Sequence, residues 1–150
     1  MNPIEGERVK LHAIVRIYNP KTDFESVKTN LQMNDMFDGE WDSEEKLQKL
    51  VNEKPNSILV AEVDGKVIGS IFQTDRLYPY FWRLIVHIDY RGKGIGEQLL
   101  NAVEQQLTED GHEEIGMFVD ETHEEVKDWY IKHGFKPTGL YRAMCKQIKR

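Results

Sequence analysis

Residues Arg91-Gly92-Lys93-Gly94-Ile95-Gly96 place three glycines and two cations in six consecutive positions. They follow the apolar run Leu84-Ile85-Val86-His87-Ile88, and Ile95, Leu99, Leu100, Val103 and Leu107 then recur at helical spacing. The pattern predicts a strand, a glycine loop and a helix. Glycines at 92, 94 and 96 let the backbone take positive φ and approach a ligand closely. The first N–H groups of the helix lack intrahelical partners, and its dipole adds about half a positive charge there. Arg91 and Lys93 add two full charges. The combination suits a phosphate or pyrophosphate. A merely flexible turn explains it poorly, because each glycine opening a helix lowers helix propensity by up to about 1 kcal/mol.

Three phosphate-bearing ligands compete for such a loop. A nucleoside triphosphate on a Walker loop requires Gly-Lys-Ser/Thr entering the helix, whereas Gly94-Ile95-Gly96 stands here. A dinucleotide finds Asp120 at the end of the next strand, where a ribose-binding acid would sit. However, Glu97 occupies the place of the third glycine, and too little chain follows for a second mononucleotide half. Coenzyme A carries a pyrophosphate and a further 3′-phosphate, which suits the flanking Arg91 and Lys93.

The rest of the chain must position that loop. At 150 residues it is long enough for one domain with a real core, residues 1–150. With 39% hydrophobic residues it reads as globular, and a net charge of −6 disfavours nonspecific nucleic-acid binding. The single Cys145 excludes an internal disulfide and fits a reducing compartment. The N-terminus lacks the basic and apolar regions of a signal peptide, and no apolar run is long enough to span a bilayer. The expectation is a soluble cytoplasmic protein with no membrane or nucleic-acid partner.

Val9, Leu11, Ala13, Val15 and Ile17 alternate with Arg8, Lys10, His12, Ile14 and Arg16, as in a strand with one apolar face. Thr22-x-x-Glu25 resembles a capping box before a helix with Phe24, Val27 and Leu31 inward. Asp42-x-x-Glu45 predicts a cap for a second helix carrying Leu47, Leu50 and Val51, closed by Pro55. Between them, Asp35, Asp38, Glu40, Asp42, Glu44 and Glu45 read as a solvated acidic run. Residues 58–63 and 66–72 predict a hairpin around Asp64-Gly65, a pair suited to a type I′ turn. Gly69 marks a bulge or a close approach. An aromatic cluster, Tyr78 to Trp82, leads into the central strand. The helix after the loop ends near Asp110-Gly111, and residues 114–119 form a strand parallel to the central one. Val126, Trp129, Tyr130 and His133 share a helical face ended by Gly134, and residues 141–148 read as a last strand with Cys145 buried in it. The fold class is α+β (mixed α/β), with helices on both faces of one sheet.

Leu84-x-Val86, Arg91-x-x-Gly94-x-Gly96 and Trp129-Tyr130-x-x-x-Gly134-Phe135 together resemble the GNAT superfamily of acyl-CoA-dependent N-acetyltransferases over residues 8–148. The resemblance implies a mixed, largely antiparallel sheet of about six to seven strands with splayed central parallel strands. It implies acetyl-CoA as co-substrate, no metal, and direct acetyl transfer to a primary amine of a small molecule or peptide. By it, Leu84, Ile85 and Val86 lie along pantetheine, with Val86 offering backbone hydrogen bonds. Arg91, Gly92, Lys93, Gly94, Ile95 and Gly96 hold the pyrophosphate, and Tyr130 sits beside the sulfur. His123 stands where relatives often place an asparagine that touches pantetheine. Phe118 stands where relatives acting on ribosomal-protein N-termini carry a glutamate base, which argues against that substrate class. The segment between the first two helices overhangs the acceptor in this family, and the acidic run there would attract a cationic amine. The enzyme would be a monomer or homodimer. The other functional reading is a non-catalytic acyl-CoA-binding regulatory module.

Acetyl transfer asks for a base, an oxyanion donor and an acid. His87, Asp89, Asp120 and Glu121 are candidates for the base, though His87 also suits a strand core and the two loop acids suit helix capping. Tyr130 is the candidate acid, against the simpler reading of a packing tyrosine.

Overall fold

The computed structural model describes residues 9–148 and divides into two compact units, Met1–Met117 and Phe118–Arg150. Arg8 and the N-terminal residues read for a signal peptide fall outside the described part.

In the first unit the order is β1 (Ile14–Ile17), α1 (Phe24–Met33), α2 (Glu44–Glu53), β2 (Ile58–Val63), β3 (Lys66–Thr74), β4 (Tyr80–Val86), a short 3-10 turn (Ile88–Tyr90) and α3 (Ile95–Glu109). The strands pair antiparallel in the order β1-β2-β3-β4. Asp64 and Gly65 both take positive φ, 51° and 77°, as a type I′ turn requires. Ile58, Val60, Phe72 and Ile85 point from the sheet into one cluster with Val27 and Leu31 of α1 and Leu47 and Val51 of α2. Leu59, Ala61 and Gly69 alternate with those residues and so face the other side. There, a Cβ on Gly69 would meet Leu99 Cδ1 and the Ile85 carbonyl oxygen at 3.1 Å, and Ile95 Cγ2 at 3.4 Å. Gly69 is therefore a point of close approach between α3 and the sheet. The ladder also slips beside it, between Ala61 and Glu62, so both readings of this glycine hold.

Several local expectations are corrected. Regular β1 pairing begins only at Ile14, and Ile17 is half-exposed while its neighbour Tyr18 is buried. α1 starts after Asp23 rather than from a Thr22 capping box. The Asp23 carboxylate is instead held by Arg16 at 2.7 Å and by the Asn19 N–H at 2.7 Å. Ser43, not Asp42, caps α2, accepting the Lys46 N–H at 3.2 Å. The strand expected over residues 114–119 is represented by one parallel bridge, Tyr80 to Gly116. The Phe81 N–H donates to the Gly116 carbonyl at 3.2 Å, and the Gly116 N–H donates to that of Pro79 at 2.9 Å.

In the second unit, α4 (Glu124–Lys132) ends at Gly134, whose φ is 91°. Trp129 stacks on His133 with ring centroids 3.8 Å apart, and Tyr130 meets Trp129 and Phe135 edge-on. Val126, expected on this face, is exposed. Residues 141–148, expected as a last strand, form no ladder among the described residues. Tyr141, Met144 and Ile148 are accordingly exposed, and so is Cys145, which is not buried in a strand. The described residues thus form a four-stranded sheet, not one of six to seven strands. The coarser expectation stands: α+β, an antiparallel sheet, helices on both faces.

Candidate active site

The site of the first unit is built where β4 runs out into α3. His87 N–H donates to the Ile68 carbonyl at 2.7 Å, so the alternation of the strand turns the peptide groups of Val86 away from β3. The Val86 carbonyl accepts a bond from Asn34 Nδ2 at 3.3 Å. On its far side, β4 meets the chain again at Tyr80 and Gly116, and from Trp82 to Val86 that edge has no strand partner among residues 9–117. An extended ligand with amide groups can add there as a strand would.

Beyond Val86 the chain turns through the 3-10 segment into the glycine loop. Gly92 and Gly94 adopt the left-handed φ values 73° and 82°. Gly96 does not: it is an ordinary helical residue in the first turn of α3, so its contribution is the absence of a side chain. Gly94 is the N-cap and offers no capping side chain. The first intrahelical bond is that of Gln98 N–H to the Gly94 carbonyl, 3.2 Å. The amides of Ile95, Gly96 and Glu97 precede it and lack intrahelical partners. They form a concave donor set at the positive end of a helix of 15 residues. Gln98 braces this turn from behind. Its Oε1 accepts the Ala13 N–H at 2.9 Å, and its Nε2 donates to the carbonyls of Leu11 and Gly94 at 2.8 and 3.0 Å.

The two loop cations are oriented by near neighbours. Arg91 Nη2 donates to Asn34 Oδ1, and Lys93 Nζ donates to the Asp89 carbonyl at 3.3 Å and lies over the Tyr90 ring. Asn34 thus joins the Val86 carbonyl to Arg91, a role that its place at the end of α1 does not announce. Leu84 and Val86 are partly exposed, while Ile85 and Ile95 are buried, so these two line the site through backbone alone.

The base candidates differ in chemistry. His87 Nδ1 accepts the Asp89 N–H at 3.1 Å, which puts the proton of the neutral ring on Nε2 and leaves no free lone pair. Its ring lies in a shallow cleft with Glu25, Thr29, Asn30 and Lys66. Hydrogen bonds from Thr122 hold the Asp120 carboxyl below its usual range, and Glu121 pairs with Lys127 at 3.0 Å. Both behave as loop acids next to a helix start. Asp89 is well exposed. The acid candidate Tyr130 is buried, 9% exposed, and burial pushes its phenol up to about 12. His123 is the exposed N-cap residue of α4. In the acidic run, Asp42 departs from the solvated expectation: it is 3% exposed and paired with Arg83. Among the described residues no cluster of His, Cys, Asp and Glu is placed to hold a metal ion, and no helix is long and apolar enough to cross a membrane.

The α+β fold sets a strand edge beside a glycine-opened helix start, and comparison with known proteins gives the family. A family model of the acetyltransferase (GNAT) domain matches residues 54–137. An acetyltransferase of Pectobacterium atrosepticum is 33% identical over 121 residues, covering 79% of this chain and 84% of that one. Ard1 of Thermoplasma volcanium shares the fold, with a TM-score of 0.76, 24% identity and 86% of each chain covered. PaiA N-acetyltransferase of Thermoplasma acidophilum, solved with coenzyme A, superposes with a TM-score of 0.69 at 22% identity over 84% of this chain and 91% of that one. The chain belongs to the GNAT family and is an acetyl-CoA-dependent acetyltransferase.

Proposed function

We propose that residues 1–150 act as one domain that moves an acetyl group directly from acetyl-CoA to a primary amine of a small molecule or peptide. The observation that carries this reading is the run from the Val86 peptide, turned away from β3, through a turn whose own amides are bonded, to the amides of Ile95, Gly96 and Glu97, which have no intrahelical partner. That run suits a carrier with amide groups along its arm and a pyrophosphate at its end. Gly92 and Gly94 shape the cradle, Arg91 and Lys93 supply charge, and His123 is a further contact to the arm. Leu84, Ile85 and Val86 form the wall, which the resemblance extends into a slot between splayed strands.

A primary amine with a pKa near 10.4 gives up its extra proton at pH 7 at a cost of roughly 4.6 kcal/mol. Solvent is the acceptor best supported, since His87 has no free lone pair and Thr122 weakens Asp120 as a base. As the N–C bond forms and the C–S bond breaks, a strand N–H bonds to the carbonyl oxygen that gains charge. One proton leaves nitrogen and one reaches sulfur. Tyr130, holding its proton to about 12, is the donor to sulfur. A thiol ionises near 8.5, so this donation is favourable only when the phenol recovers the proton that nitrogen sheds.

The test begins with thermal shifts in the presence of coenzyme A, NAD and an adenosyl cofactor. Stabilisation by coenzyme A alone is expected, by about 2.7 kcal/mol at a hundredfold excess over Kd. An amine panel with acetyl-CoA then reads turnover. Tyr130→Phe should lower kcat by about a hundredfold with coenzyme A affinity unchanged. Coenzyme A binding without turnover on any amine would favour a regulatory module instead.

A further inference from the structure

Arg83 is the one arginine of the described residues with positive φ, 54°, and it lies inside a strand. The ladder explains where. Ser70 pairs with Ile85 and Phe72 with Trp82, so Ile71 alone faces both Arg83 and Leu84. That is a bulge with its first residue left-handed, a position that glycine ordinarily fills because a Cβ is strained there. The bulge has a consequence for packing. Trp82 and Ile85 are three residues apart, yet both join the cluster under α1 and α2. An unbroken strand would turn one of them to the opposite face. The bulge also sets the phase of the following residues, and hence the direction of the Val86 peptide groups.

Something must hold an arginine in that conformation. Its side chain reaches Asp42, in the segment between α1 and α2, with Nη2 to Oδ2 at 3.0 Å and Nε to Oδ1 at 3.4 Å. Asp42 is 3% exposed, and its Oδ2 also accepts the Asp38 N–H at 2.9 Å. A carboxylate so far from water requires a paired charge. If β4 slipped by one residue, the guanidinium would pass to the other face and leave that carboxylate alone. Registry is the best-attested use of a buried ion pair.

We propose that Arg83 and Asp42 are a positioning pair, whose ion pair, buried at its carboxylate end, locks the β4 bulge and thereby aims the Val86 edge at the acyl carrier. The effect on turnover rests on the acetyltransferase reading above; the effect on the backbone does not. Two matched double variants separate the lock from mere packing. D42N/R83M removes both charges and keeps a side chain that resists positive φ. D42N/R83G removes both charges but leaves a residue that holds positive φ unaided.

Wild-type turnover and coenzyme A affinity are measured first, since a wild type that neither binds coenzyme A nor acetylates an amine defeats the functional reading by itself. With turnover in hand, D42N/R83M is expected to lose roughly tenfold or more in kcat. Its coenzyme A affinity should stay within about threefold, because the cradle amides belong to α3. D42N/R83G should recover most of that loss. The amide 15N shifts of Leu84, Ile85 and Val86 should move in the first variant and return towards wild type in the second. Equal kcat and equal shifts in the two variants would overturn the lock, whatever the enzyme acetylates. If D42N/R83M does not fold, D42N/R83G must still fold with wild-type shifts at these three amides, and failure there overturns the proposal as well.

Discussion

Two of the six tyrosines are set apart by burial. Burial raises the phenols of Tyr18 and Tyr130 to about 12, and for Tyr18 the charges of Asp23 and Glu44 add to it. An unfolded chain ionises its tyrosines near 10, so below that pH folded and unfolded states carry the same protons and the full stability is present. Above pH 10 the unfolded state ionises first, and stability falls until the folded phenols also ionise near 12. Each tyrosine accounts for roughly 3 kcal/mol of that loss, two pH units at about 1.36 kcal/mol each. Urea midpoints should therefore hold from pH 7 to about 9.5 and drop steeply above 10, with Tyr18→Phe removing part of the drop. A drop that Tyr18→Phe leaves intact would assign it elsewhere. The same shift bears on catalysis. Since Tyr130 keeps its proton to about 12, kcat/KM should climb with pH as the acceptor amine loses its proton. No descending limb from this phenol is expected below about pH 11. A fall near pH 9 that Tyr130→Phe abolishes would show that the phenol is more acidic in the working enzyme.

The cradle is an element-scale object, because its donors are backbone amides that Gln98 and Gly94 hold in place. Gln98→Ala removes three bonds, two that tie the turn to residues 11 and 13 and one to the Gly94 carbonyl, and should destabilise the fold by about 1–3 kcal/mol. Gly94→Ala puts a Cβ at φ 82° and adds about 1–2 kcal/mol of strain. Both should weaken coenzyme A binding in calorimetry more than they raise the acceptor KM. An equal effect on both substrates would place the damage in the fold rather than the cradle. These elements were readable in the sequence where their cause is local. The Asp64-Gly65 turn follows from two residues that tolerate positive φ, and α3 from five apolar residues at one spacing. The glycine loop belongs with them, although Gly96 turned out helical. What escaped depends on partners far along the chain. Arg83 meets Asp42 across 41 residues, and Arg91 meets Asn34 across 57. Nothing in the run Phe81-Trp82-Arg83-Leu84 marks a bulge, since arginine is not the residue that a left-handed position selects. Asp42 read as a cap and as surface for the same reason: its burial is decided by the partner it finds.

The whole molecule carries a net charge of −6, and its two substrates would feel that field with opposite signs. Coenzyme A is polyanionic. At the proposed site it would approach a like-charged protein and be captured only within reach of the loop amides, Arg91 and Lys93. A cationic amine is drawn by the same field, and Asp35, Asp38 and Glu40 add to it locally. Salt screens exposed charges beyond about 10 Å at 0.1 M, so it should act on the long-range part of both approaches and leave close contacts largely intact. The acceptor KM should rise several-fold, by about three to ten, between 0.05 and 0.5 M salt. Coenzyme A association should be slowed less, or quickened, since screening removes repulsion as well as attraction. Stopped-flow binding and steady-state KM over one salt series would measure the two together. If the acceptor KM stayed flat while coenzyme A binding weakened, the amine would not be steered as a cation. The acidic segment would then serve the fold through Asp42 alone, and the acceptors to screen would be neutral at working pH.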